Sequence, residues 1–179
     1  MKGTIVASRY AKSLLDLSVE KNNLDKINDD MVQLSEICEE SKDLTNLLNN
    51  PVVNSDKKAN VFDKLFKGKM DDLSLAFIQL INKNKRENLL PNIAQSFTQL
   101  YKEHKHILDV ELISAQPLED SVKTKIIDKV KAKYDGYSIN LIEKTDASLI
   151  GGFIVKIKDK QLDASIASQL TNLKNILLN

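Results

Sequence analysis

The sequence predicts an α+β protein that is mostly α: a six-helix bundle over residues 1–106, followed by a small β-α-β-β-α unit over 107–179. Two observations carry this. Up to His106, apolar residues recur at helical spacing in short segments broken by Asn, Pro and Gly. From Ile107, β-branched residues alternate with polar ones in the manner of strands.

The first helix runs from 4 to 21, with Val6, Tyr10, Leu14 and Leu17, joined by Ala7, Ala11 and Ser18, on one stripe. Asn22-Asn23 interrupts it. Leu24, Ile27, Met31, Leu34 and Cys38 then mark a second helix to about Glu40, and a short third covers Lys42 to Leu48. Pro51 pushes Asn50 out of helical geometry. Asn54 is a suitable N-cap for a fourth helix carrying Ala59, Phe62, Leu65 and Phe66, closed near Gly68. Asp71-Asp72 favour the start of a fifth, because negative charge complements a helix N-terminus. Its stripe reads Leu73, Ala76, Phe77, Leu80 and Ile81, which leaves Leu75 and Ile78 projecting away from it. Pro91 opens the sixth, through Ile93, Phe97, Leu100 and Tyr101.

In the second unit, Ile107 to Ile113 is a strand, and Val122, Ile126, Val130 and Tyr134 mark a helix ended by Asp135-Gly136. Ile139-Asn140-Leu141 opens a second strand. A turn at Asp146-Ala147-Ser148 leads to a third, which carries the adjacent glycines Gly151 and Gly152. The short turn predicts that these last two strands pair antiparallel. Asp163 is expected to cap a final helix through Ile166, Leu170, Leu173 and Leu177.

Charge narrows the function classes. The 26 basic and 25 acidic residues give a net charge of +1, and neither half carries a basic excess. That argues against a nucleic-acid partner. Only Arg9 and Arg86 are arginines, which weakens any reading as a phosphate binder. Cys38 is the single cysteine, so no internal disulfide is expected, and its place on a stripe suits a small core residue better than a reactive thiol. No apolar run approaches the roughly 20 residues of a transmembrane helix, and the N-terminus has no signal-peptide core.

Catalytic, cofactor and metal sites are not expected. His104-Lys105-His106 lies at a helix end, and residues two apart on a helix do not share a face. Gly151-Gly152 runs into the strand Phe153-Ile154-Val155 with no following Gly-Lys-Ser/Thr, so packing is the expected role of the pair, not phosphate binding. Leu75 and Ile78, outside their stripe, suit the docking of an amphipathic partner helix.

Five segments, in order, resemble the delta subunit family of F-type ATP synthase, the bacterial counterpart of the mitochondrial oligomycin-sensitivity-conferring protein. They are RYAKSLLDLS, NPVVNSDKKANVFDKLF, NKRENLLPNIAQSF, ISAQPL and DASLIGGFIVKIKDKQLDASIASQLTNLK. Glu119, Ser168 and Ser13 depart from the family's usual serine cap, basic residue and alanine. The resemblance implies a non-catalytic stator subunit. Residues 1–106 would bind N-terminal helices of alpha subunits on the catalytic head, and 107–179 would hold the ends of the peripheral-stalk b subunits. It also implies a peripheral location on the cytoplasmic face of a bacterial inner membrane. The family's first and fifth helices form the head-binding surface, which here makes Tyr10, Ser13, Asp16, Leu75 and Ile78 the partner-binding candidates. Tyr10 suits either the dock or the core. The alternative function is a nucleotide- or RNA-binding regulatory module.

Overall fold

The computed structural model describes residues 2–168 and 170. The protein is mostly helical with one small mixed sheet, and it divides into two compact units between Lys102 and Glu103.

The first unit contains α1 (Lys2–Glu20), α2 (Leu24–Glu40), α3 (Lys42–Asn49), α4 (Ser55–Phe66), α5 (Asp72–Lys83), a 3-10 turn (Glu87–Leu89) and α6 (Leu90–His104). Residues from all six helices share one apolar core. On α1 the buried stripe is Ala7, Ala11, Leu14 and Ser18, with Leu17 turned partly to solvent. Helix starts follow local chemistry. Ser41 accepts the Leu44 N–H at 3.2 Å and Asp71 accepts that of Leu73 at 3.0 Å, whereas Asn54 holds the N-cap position of α4 without a side-chain bond. Asp30 of α2, itself buried, accepts the Asp71 N–H at 2.9 Å and so ties α2 to the start of α5.

The inside of α5 differs from the sequence expectation. Its buried positions are Ser74, Phe77, Ile78, Ile81 and Asn82, while Ala76 is exposed and Leu80 is 50% exposed. The set keeps i, i+3, i+4, i+7, i+8 spacing but includes two polar residues. Because α5 is apolar on most of its surface, hydrophobicity left its rotation open. Polar contacts fix it: the Asn82 amide donates to the Ser55 carbonyl at 2.8 Å and that of Gln79 to the Asp63 carboxylate at 3.0 Å, both toward α4.

The second unit contains β1 (Ile107–Ser114), α7 (Asp120–Lys133), β2 (Ser138–Thr145), a 3-10 turn (Ala147–Leu149), β3 (Phe153–Ile157) and β4 (Lys160–Asp163). Helical geometry resumes at 166–168 and 170; Leu173 and Leu177 lie outside the described residues. The sheet order is β2-β1-β3-β4, with β1 parallel to β2 and antiparallel to β3. The expected β2–β3 pairing is therefore corrected, since β1 lies between them. Strands stand about 4.8 Å apart, so the connection from Asp146 to Gly152, with its 3-10 turn, is long enough to step across one strand.

Strand β4 is an addition that the sequence reading missed. All four of its residues are exposed, so it has no burial alternation to betray it. It pairs antiparallel with β3 around Lys158-Asp159. The following helical turn is capped by Ser165, not by Asp163: the Ser165 hydroxyl accepts the Ser168 N–H at 3.3 Å. Asp163 stands two residues earlier and accepts from the Ser168 hydroxyl at 2.6 Å and the Ser165 N–H at 2.9 Å. These bonds, that from Ser168 foremost, hold its carboxyl below the usual range.

Candidate functional site

The edge between α1 and α5 is the first surface of interest. Tyr10 is half-buried, and its ring meets Phe77 edge-on, with centroids 6.5 Å apart. On a helix, Leu73 and Leu80 share the side of Phe77, at i−4 and i+3. Leu73 is half-buried and Leu80 half-exposed. Val6 and the partly exposed Leu17 flank Tyr10 along α1, at i−4 and i+7. The result is an apolar strip on the outside of the core. Arg86, just beyond α5, donates from Nη1 to the Tyr10 hydroxyl at 3.0 Å and lies over its ring, 5.7 Å from the centroid.

The sequence-derived candidates divide at this edge. Tyr10 lies on it, while Ser13 and Asp16 are exposed on α1. Leu75 is half-buried on the side of Gln79, which faces α4, so it is turned from Tyr10. Ile78 is 0% exposed, and the expectation that it projects from the core is corrected. The apolar positions available on α5 are Leu73, Ala76 and Leu80, which the periodicity reading had placed inside.

The second surface lies on one face of the sheet. Leu108, Val110 and Leu112 of β1 point to the face on which α7 packs Ile126 and Val130. Helix α7 is the crossover between parallel β1 and β2. A groove of about 680 Å³ runs between α7 and the β3–β4 half of that face. Phe153, Val155, Ile157 and Leu162 form its floor. Lys125, Lys129 and Lys133, one turn apart on α7, and Lys160 on β4 form its rim. Leu162 is 64% exposed, a large apolar side chain on open display. The opposite face is mixed: Asn140 donates to Asp109 at 2.8 Å and Lys144 pairs with Glu111, while Ile113, Ile142 and Ile154 also lie on it.

The glycine pair sits in the turn immediately before β3, not within the strand. Gly152 has φ +77, and a Cβ built there would lie 2.2 Å from the Ala164 carbonyl oxygen and 3.0 Å from the Ser165 Cα. The Gly151 carbonyl accepts the Ile166 N–H at 3.0 Å. The chain's own backbone thus fills the space that a bound phosphate would need.

Two buried charges escaped the sequence reading. Lys58 is 1% exposed and pairs with Glu87, and it also donates to the Leu48 carbonyl at 3.2 Å. This pair joins the segment NPVVNSDKKANVFDKLF to NKRENLLPNIAQSF inside the core. A lysine in a run of two, and a glutamate beside an arginine, carry no signal that they turn inward.

Cys38 is buried, and its thiol is pushed up to about 11, chiefly by burial and secondarily by Glu39. A thiolate is the reactive form, so in the folded chain the Cys38 thiol is expected to react with a disulfide reagent at pH 8 at least tenfold more slowly than in urea. Equal rates would show that the site opens freely. Among the described residues, no three His, Cys, Asp or Glu side chains are grouped to hold a metal ion. His106 instead stands in the turn after α6 at φ +52 and sets its ring edge-on to Tyr137. No helix among the described residues is long and apolar enough to cross a membrane.

Comparisons with known proteins identify the family. Residues 6–177 match the family described as ATP synthase delta (OSCP) subunit. The ATP synthase subunit delta of Cytophaga hutchinsonii is 35% identical over 175 residues, covering 98% of this chain and 95% of that protein. That of Acetivibrio thermocellus is 33% identical over 174 residues, covering 97% and 98%. In fold, the chain resembles one in the mitochondrial ATP synthase hexamer of Toxoplasma gondii, with a TM-score of 0.72, 23% identity and 97% of each chain covered. With matching residues running through both units and relatives covered nearly end to end, the chain belongs to the ATP synthase delta (OSCP) subunit family.

Proposed function

We propose that this chain is the stator link of an F-type ATP synthase. Its helical bundle takes N-terminal helices of alpha subunits on the α1–α5 edge. Its C-terminal unit takes the ends of the peripheral-stalk b subunits in the groove beside α7. The head is thereby kept from turning with the rotor. The observation that carries the reading is that each unit presents its own apolar strip with a polar or charged border, the usual anatomy of a helix-binding surface. The lysine rim further suits a helix with acidic flanks. Within the complex, the protein sits peripherally on the cytoplasmic face of a bacterial inner membrane.

A link of this kind works through affinity and needs no active site of its own. The alternative reading as a nucleotide- or RNA-binding module finds no support, since the glycine turn is packed on backbone and the relatives are ATP synthase subunits.

The test probes the α1–α5 edge. Leu80→Asp, at a half-exposed position, is expected to weaken binding of a synthetic alpha N-terminal peptide about tenfold or more, close to 1.4 kcal/mol. Thermal unfolding should hardly move, because exposed substitutions change stability by roughly 0.5 kcal/mol or less. Calorimetric titration of the peptide into both proteins reads the difference. Undiminished binding would place the dock elsewhere.

A further inference from the structure

Between α5 and α6 the chain makes a turn that is pinned from two sides. On its backbone, Lys85 sits at φ +57, the Arg86 N–H donates to the Ile81 carbonyl at 3.0 Å, and the Leu89 N–H donates to the Arg86 carbonyl at 2.9 Å. From the interior, the Glu87 carboxylate receives the Lys58 ammonium. A buried ion pair of this kind adds little net stability, because desolvation offsets the attraction, and an apolar pair of similar volume is often as good or better. This one is dearer still, since Glu87 Oε2 is buried and finds no hydrogen-bond partner among the described residues. Stability therefore does not account for it.

The neighbouring residue supplies an account. Arg86 adjoins Glu87, and its side chain reaches Tyr10 at the α1–α5 edge, bonding the hydroxyl and covering the ring. Among the described residues Arg86 makes no ion pair. A guanidinium has five N–H donors in a planar fork that matches a carboxylate, and the Tyr10 hydroxyl takes one. The bond to the Tyr10 hydroxyl and the contact with its ring restrict that fork before any partner arrives, which lowers the entropy lost on binding.

We propose that the Lys58–Glu87 pair is a positioning device that sets the turn so that Arg86 stands over Tyr10, where it takes a carboxylate from the docking helix. This rests on the α1–α5 edge being the dock. Lys58 and Glu87 act only through Arg86, which makes the contact.

The test uses the full chain with two readouts: the NMR shift of the Arg86 Nε–Hε group, displaced by the Tyr10 ring current, and calorimetric binding of a synthetic alpha N-terminal peptide. Arg86→Ala should weaken peptide binding at least tenfold with thermal unfolding unmoved, and Arg86→Glu should weaken it further. Lys58→Met/Glu87→Leu should fold yet lose the ring-current displacement, and in that background Arg86→Ala should change binding less than twofold. Lys58→Met/Glu87→Gln, also without either charge, is the second variant and is read the same way. A retained ring-current displacement, a tenfold Arg86→Ala effect in both backgrounds, or unfolding of both double variants overturns the positioning role. Equal affinity of Arg86→Glu and Arg86→Ala overturns the carboxylate contact. A native chain that binds no peptide overturns the docking reading and the carboxylate contact together, while the NMR readout still decides whether the pair sets Arg86.

Discussion

Ile78→Asp is expected to unfold the helical unit. Ile78 is wholly buried and belongs to the core that all six helices share. Truncating such a side chain costs about 2–5 kcal/mol. Aspartate adds the burial of a carboxyl group with no partner, which costs several kcal/mol more even if the group becomes protonated. A domain's whole stability is about 5–15 kcal/mol, so the sum consumes most or all of it. Far-UV circular dichroism should show the helical signal lost or melting tens of degrees lower. Ile78→Val, which keeps the site apolar, should cost only about 1 kcal/mol. A near-native melt for Ile78→Asp would mean that α5 is rotated from its described position, with Leu80 inside.

The second large effect is expected at Gly152. Its φ of +77 is strained for any residue with a Cβ, at about 1–2 kcal/mol. The added Cβ would also meet a backbone carbonyl at 2.2 Å, and backbone cannot swing aside as a side chain can. Relieving the contact means separating the turn before β3 from the residues after β4, and with them the bonds Ala164 N–H to Phe153 carbonyl and Ile166 N–H to Gly151 carbonyl, each 3.0 Å. Gly152→Val should therefore cost the C-terminal unit roughly 2–5 kcal/mol, the sum of strain and overpacking. A unit this small has little stability to spare. Limited proteolysis should digest the C-terminal unit of the variant rapidly while sparing the helical unit. Gly136→Ala isolates the strain, because φ there is +80 but nothing lies within 4 Å of the added carbon. Equal losses for Gly152→Val and Gly136→Ala would show that the close approach costs nothing.

Much of the fold was legible because local chemistry and burial agree. The stripes of α1 and α2 face inward nearly as periodicity requires, and the alternation of β1 is carried through to its burial. What escaped is where the two disagree. Helix α5 is apolar almost all round, so its rotation is set by Asn82 and Gln79, whose polarity a hydrophobic reading discards. The buried Lys58–Glu87 pair is invisible for the same reason: only distant chain segments brought together make a lysine an interior residue. Strand β4 is exposed throughout, and its existence depends on pairing with β3. Ile78, drawn from periodicity as a projecting residue of α5, lies in the core because of that rotation. The packing role of Gly152 was readable, since a glycine before an apolar strand, without phosphate-loop companions, has few other uses.

The place of β1 in the sheet has a mechanical consequence. The backbone leaving α6 enters β1 almost at once, and β1 is hydrogen-bonded to β2 along one edge and to β3 along the other. Tension arriving along the chain from the helical unit therefore loads an inner strand lengthwise, so both its ladders resist together and must slip in concert. Tension entering from beyond β4 meets first the bonds of Ala164 to Phe153 and of Ile166 to Gly151, then β4 itself, a four-residue strand bonded on one edge only, whose bonds can break in succession. The described sheet is thus a directional fastener, firmer against a pull on β1 than against a pull on β4. A partner that has to carry torque gains most by gripping the sheet across its strands, and least by pulling on β4 alone.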